Sequence, residues 1–257
     1  MTLIYYKALA GLLIFVASLV AVIYPIRKHL LSGHSEPLEL GEAFASGIFL
    51  GVAFFHMLPA SISSFQRLWP NTQYPLAELI CILGFILLLF LERLSLMTCS
   101  NRNHNHVASI PSILTIMLII HELIEGTALG INTTFTQAFM LFVAIIAHKG
   151  SASFALCVTL MRHKIPLKKI LAIVIFFSLV TPLGIFLGET LNSLSHLPSG
   201  QLLEAIFNAF ATGSFFYMST LHHVQFHKRA AEESHGMLEF LFLVIGLGLM
   251  GLIAVWV

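Results

Sequence analysis

Residues 121–131 read HELIEGTALGI and set one histidine and two glutamates inside an otherwise apolar run. Residues 147–154, AHKGSASF, repeat the intrusion with His148 and Lys149. At the centre of a membrane helix each such group costs about 2.5–3.5 kcal/mol on insertion scales, so it faces a protein interior or a cavity and not lipid. In an α-helix, positions i and i+4 fall about 40° apart and stack on one face. His121 and Glu125 therefore project together, with Glu122 about 100° round on the flank. An imidazole and a carboxylate so placed can share one divalent cation. A structural ion pair between a glutamate and Lys149 is the competing explanation.

The composition agrees with a lipid setting. Of 257 residues 58% are hydrophobic and 10% charged, with mean hydropathy +0.92. A soluble domain would carry about 25% charged residues. Aspartate is absent and the net charge is +1, which offers nucleic acid nothing to bind. Apolar stretches of about 20 residues can cross a bilayer. Eight occur, at roughly 3–25, 40–64, 75–97, 110–131, 136–161, 168–190, 201–223 and 237–257, which predicts an all-α polytopic membrane protein of eight transmembrane helices in one domain over 1–257. The first is long enough to span and is read as a helix, not a signal peptide. Alternate connections hold Arg27, Lys28, Arg93, Arg102, Arg162, Lys164, Lys168, Lys169, Lys228 and Arg229 on one side, against Lys7 and Arg67 on the other. Basic flanks favour the cytoplasm, so both termini are expected on the extracytoplasmic side.

Other polar residues have ordinary explanations beside functional ones. His56, in GVAFFHMLPA, and His222 each stand alone in a span, where a histidine is more often a packing or hydrogen-bonding residue than a ligand. Glu204 and the His222-His223 pair lie near span ends and can reach headgroup water. His104 and His106 sit in the short loop 98–109, read as a polar linker. Asn132-Thr133-Thr134 fits the glycosylation pattern but lies close to a membrane end. The three cysteines (Cys81, Cys99, Cys157) are scattered, and two of them read as small buried hydrophobes. Gly47/Gly51, Gly126/Gly130 and Gly184/Gly188 form GxxxG pairs that let helices approach closely, whether within one subunit or in a homodimer. Pro59 and Pro182 each free a carbonyl, tolerable where protein or a hydrated cavity receives it.

Short-looped spans with HELIEGTALGI in the fourth resemble the ZIP (Zrt-/Irt-like) family of divalent-metal transporters. AHKGSASFAL resembles the fifth-span HK-x-x-x-A-F pattern of one branch of that family, and FFHMLPAS, FFSLVTPLGIFLG and LEAIFNAFATGSFFYMSTL resemble its second, sixth and seventh spans. The resemblance implies uptake of zinc, or of iron(II), manganese or cadmium, into the cytoplasm across a plasma or bacterial inner membrane. It implies an elevator-like motion and no prosthetic group. Carried over, His121 and Glu125 match the fourth-span ligands and His148 the fifth-span ligand. Glu122, a further candidate ligand, falls where many members have asparagine or serine. Members with two adjacent metals have acids where this chain has Lys149 and Ala152, which implies a single metal with Lys149 as charge partner, paired with Glu125. His222 replaces an acid at the cytoplasmic end of the seventh span and would relay the ion outward from the site.

Two other classes fit less well. An intramembrane zinc hydrolase wants HExxH where this chain has HELIE, and Lys149 opposes a fixed catalytic metal. A haem carrier using His56 and His148 leaves the carboxylates at 122 and 125 unexplained.

Overall fold

A computed structural model of the protein describes residues 2–32, 38–99, 109–190, 198–230 and 236–256. Among these residues all regular secondary structure is helical: α1 (Thr2–Ser32), α2 (Glu39–Leu68), α3 (Leu76–Cys99), α4 (Ser109–Ile131), α5 (Phe135–Arg162), α6 (Leu167–Thr190), α7 (Pro198–Ala230) and α8 (Gly236–Ile253). Each apolar run of the sequence thus lies on one helix. Two helices outrun their apolar stretches: α1 continues through Pro25 to Ser32, and α7 continues to Ala230. By length and composition α1, α2, α5, α6 and α8 can cross a membrane.

The distribution of side chains is the reverse of a soluble protein's. Leu79, Ile82, Leu83 and Ile86 of α3 are exposed, as are Phe240, Leu241, Val244 and Ile245 of α8. His121, Glu122, Glu125, His148 and Lys149 are all buried. Lipid as solvent dictates that arrangement, since apolar surface costs nothing there and an ionisable group does.

The helices sort into two groups of four. Helix α4 packs chiefly on α6, and α1 lies along α5 and α6. In the second group α2 lies along α8 and α7, and α3 along α7. The seam between the groups runs mainly between α2 and α5, with α4 touching α7. The glycine pairs account for the closest approaches. A methyl on Gly184 would stand 3.0 Å from the Cα of Gly126, and one on Gly188 would stand 2.9 Å from that of Gly130, so the α4 and α6 pairs face each other. Gly47 and Gly51 press on α8, against Leu243 and Met250. These faces serve packing within one subunit, which leaves them unavailable to a homodimer.

Polar clasps add to the first group. Lys7 of α1 donates to the Gly130 carbonyl at 2.6 Å and to Glu189, tying the end of α4 to α6. Ser18, Ser153 and Ser178 join α1, α5 and α6 in a buried hydroxyl chain. In α2 the turns over Ala53–Met57 are π-helical, with the Leu58 amide reaching the Ala53 carbonyl. The wider turn lies directly before Pro59, whose ring and missing N–H would obstruct an α-helical ladder. His56 lies on that widened turn.

Candidate metal centre

Helix α4 brings His121 and Glu125 to one face, as their spacing requires, and α5 brings His148 against them. Nε2 of His121 lies 3.3 Å from Oε1 of Glu125, and Nε2 of His148 lies 3.1 Å from Oε2 of the same carboxylate. One ligand atom from each of the three residues falls within 4.8 Å of the others, and all three side chains are buried. Tetrahedral zinc with bonds near 2 Å sets its ligand atoms about 3.3 Å apart. The two imidazole–carboxylate separations already match that figure. Three protein ligands leave a fourth position open for water or for an ion's exchange.

The imidazole of His148 is held by a backbone group. Its Nδ1 lies 2.8 Å from the Ala144 carbonyl one turn back. An Nδ1–H donated there leaves Nε2 of the neutral ring as a lone pair, the form that ligates a metal. That lone pair faces a carboxylate oxygen, acceptor to acceptor, an arrangement that only a proton or a cation between them satisfies. Nε2 of His121, 3.3 Å from Oε1 of the same carboxylate, is buried without a hydrogen bond of its own. A cation at the centre of the three residues would satisfy these groups together.

Glu122 and Lys149 lie beside this cluster as a separate unit. Lys149 Nζ is 2.7 Å from Glu122 Oε2, 3.0 Å from the Thr181 hydroxyl and 3.4 Å from the Phe177 carbonyl. It also stands 3.9 Å from the centroid of the Phe177 ring. Thr181 donates to Glu122 Oε2 at 2.6 Å. The lysine's partner is therefore Glu122 and not Glu125, contrary to the sequence expectation. Glu125 is occupied by the two imidazoles, and Glu122, on the helix flank, meets α5 and α6 instead. The geometry sets Glu122, the fourth residue expected in the ligand set, apart from the three that group together.

His56 is half-buried on its π-helical turn, within electrostatic reach of His121, Glu125 and His148, though it is not among the three grouped residues. The side chains of Glu204, His222 and His223 lie outside the described residues, as do His104 and His106. Sequence reasoning missed Thr181, Phe177 and Phe215. A threonine beside Pro182 in an apolar run is a faint signal for the first. Nothing marks Phe215 among 22 phenylalanines, yet it closes the site from α7. Its ring is 1% exposed and meets His121 edge-on at 4.7 Å between centroids, with His148 at 6.3 Å.

A helical bundle with apolar surfaces, enclosing two imidazoles and a carboxylate at ligating distances, defines an integral membrane protein equipped to handle a transition-metal ion. The comparisons with known proteins agree. The model of the family described as ZIP zinc transporter matches residues 4–113 and 107–254. Similar proteins include zinc transporter ZIP1 of Takifugu rubripes, 27% identical over 84% of this chain and 84% of its own length. Human zinc transporter ZIP3 is 26% identical over 81% of this chain and 82% of its own, and human zinc transporter ZIP2 is 24% identical over 87% of each. The chain belongs to the ZIP zinc transporter family, whose members are transporters and not enzymes.

Proposed function

We propose that this protein carries zinc into the cytoplasm through a single site formed by His121, Glu125 and His148 between α4 and α5. The observation that carries this reading is the buried convergence of three ligand atoms within 4.8 Å. Nitrogen-rich ligation favours zinc, iron(II) and related ions over magnesium and calcium. The relatives are named as zinc transporters, which puts zinc first. Manganese, cadmium and iron(II) are the competitors that a carboxylate in the set admits.

Each chemical element of transport has a residue. Glu125 supplies the negative charge that draws a hydrated dication, and the imidazoles replace water molecules as it enters. Lys149 fills the neighbouring position and occupies the Glu122 carboxylate, so a second metal finds no free carboxylate there. His56 and His222 serve as way stations before and after the site. All eight helices, α3, α4 and α7 included, cross the bilayer as one unit over 1–257, and both termini lie outside, on the strength of the basic connections. The AHKGSASF stretch assigns the chain to the HK branch of the family.

The sliding of one four-helix group past the other is the motion we assign. Its support is the division of contacts: the ligands all belong to α4 and α5 in the first group, while Phe215, which covers them, belongs to the second. Carrying the first group along the seam would uncover the ligands on the far side. The test is uptake of radioactive zinc by sealed proteoliposomes, wild type beside Glu125→Ala, with manganese, iron(II) and cadmium as competitors. Saturable uptake lost in the folded variant is expected. Equal uptake by both would remove Glu125 from the site.

A further inference from the structure

An ion pair crosses the seam between the two groups. Arg162, in the last turn of α5, donates to Glu42 in the first turn of α2. The other long-range bonds described above stay within one group, as do Lys7 with Glu189 and Ser61 with the Ala205 carbonyl. Around the pair the seam is apolar, with Ala45, Ile48 and Phe49 of α2 and Cys157, Leu160 and Met161 of α5 all in one core cluster. An apolar seam of that kind can slide, because its contacts have no direction. A charge-assisted bond cannot slide without breaking or exchanging partners.

A second partner stands one turn away. Glu39 and Glu42 both occupy the first turn of α2, and each lies within electrostatic reach of the other. Three residues of helix separate them by about 4.5 Å along the axis and about 60° round it. Glu39 is on the side of the basic connections, where Lys164, Lys168 and Lys169 also lie. One turn in the opposite direction stand Ala45 and Ser46, with no charge to offer. First-turn acids complement a helix dipole, which explains both glutamates singly. It does not explain an arginine reaching one of them from the other group. Glu239, at the start of α8, is buried within electrostatic reach of Glu42 and adds negative potential at the same end.

We infer that Glu42 and Glu39 are two successive berths for Arg162, so that inward movement of the first group transfers the arginine from Glu42 to Glu39. One-turn displacements of one packed element past another are a known mode of switching. The berths fix the length of the stroke at about one helical turn and bias the resting state towards the arrangement described here. The inference rests on the sliding motion proposed above, and its test separates the two.

Spin labels at Gln66→Cys and Lys168→Cys, in a chain with its three cysteines replaced by serine, report the distance between the outer end of α2 and the inner end of α6. Both residues are exposed, and His121, Glu125 and His148 lie on other helices. Inward sliding lengthens that distance. In nanodiscs, with and without zinc, two populations are expected. Glu42→Gln should move population to the longer distance, and Glu39→Gln to the shorter, each by roughly threefold to tenfold. Exchanging charges with Glu42→Arg and Arg162→Glu preserves the first berth and makes the second repulsive, so it should hold the shorter distance. A single distance in the wild type under both conditions would overturn the sliding itself. Two populations that Glu42→Gln and Glu39→Gln leave unmoved would overturn the berths and spare the sliding.

Discussion

Lys149 Nζ lies 2.7 Å from Glu122 Oε2, and neither side chain is exposed at all. The ammonium has three protons, and the Glu122 carboxylate, the Thr181 hydroxyl and the Phe177 carbonyl receive them. A lysine so satisfied is a fixed countercharge and not a mobile one. It stands next in sequence to the proposed ligand His148, so the pair lies directly beside whatever cation Glu125 attracts. Taken with neutral imidazoles, Glu122 and Lys149 cancel, and the ligand set itself carries the single charge of Glu125.

The pair's energetics are testable apart from transport. Removing one partner of a buried ion pair strands the other and costs about 3–5 kcal/mol, while replacing both with apolar groups is often neutral. Lys149→Met or Glu122→Gln alone should therefore lower thermal stability in detergent, and the Glu122→Gln, Lys149→Met double variant should recover most of the loss. Additive losses would mean that the two charges are stabilised independently.

Much of this arrangement is legible in the sequence, and the reasons are physical. The bilayer admits few spanning solutions, so the apolar runs translate directly into helices among the described residues. The i, i+4 spacing fixes His121 and Glu125 on a common face without reference to any other helix. What lies between helices is not so constrained. The partner of Lys149 depends on how α4 is rotated against α5 and α6, because one residue of helix, about 100°, turns Glu122 away from the direction of His121. Phe215 is invisible for the same reason, because its role arises only from the approach of α7. The glycine pairs announce close packing but do not say with which helix.

Those pairs now yield a contrast. A methyl on Gly126 would meet the Thr181 carbonyl oxygen and stand 3.1 Å from the Gly184 Cα, with backbone on every side. Gly126→Ala should force α4 and α6 apart and cost about 1–3 kcal/mol, as overpacking does. Around Gly248 of α8 nothing lies within 4 Å, so Gly248→Ala should be neutral or stabilise by about 0.5–1 kcal/mol. Paired melting curves of the two variants check both signs.

The end of α5 offers a stabilising change. The Ile165 amide bonds the Leu160 carbonyl at 3.2 Å and the Lys164 amide bonds that of Met161 at 2.9 Å, the Schellman pattern of a helix stop. Lys164 occupies the left-handed position at φ 55°, where glycine carries no Cβ penalty. Lys164→Gly should raise stability by about 1 kcal/mol. A lowered melting temperature would show that the lysine side chain contributes more than its backbone strain costs.

Phe215 links the ligand cluster to the second helical group, and its removal should change kinetics more than affinity. The ring touches both imidazoles edge-on but offers no ligand atom, so it cannot contribute to metal coordination. It is buried against both rings on the side where α7 packs. Phe215→Leu keeps an apolar side chain of comparable burial while losing the flat edge against His121. With cobalt(II) as a spectroscopic substitute for zinc, one ion per chain should bind in both wild type and variant, and none in Glu125→Ala. On adding excess chelator, the Phe215→Leu protein should surrender its cobalt severalfold faster. Equal release rates would mean that the barrier to the ligands lies elsewhere along the seam, with the α2–α5 contact and His56 the next positions to vary.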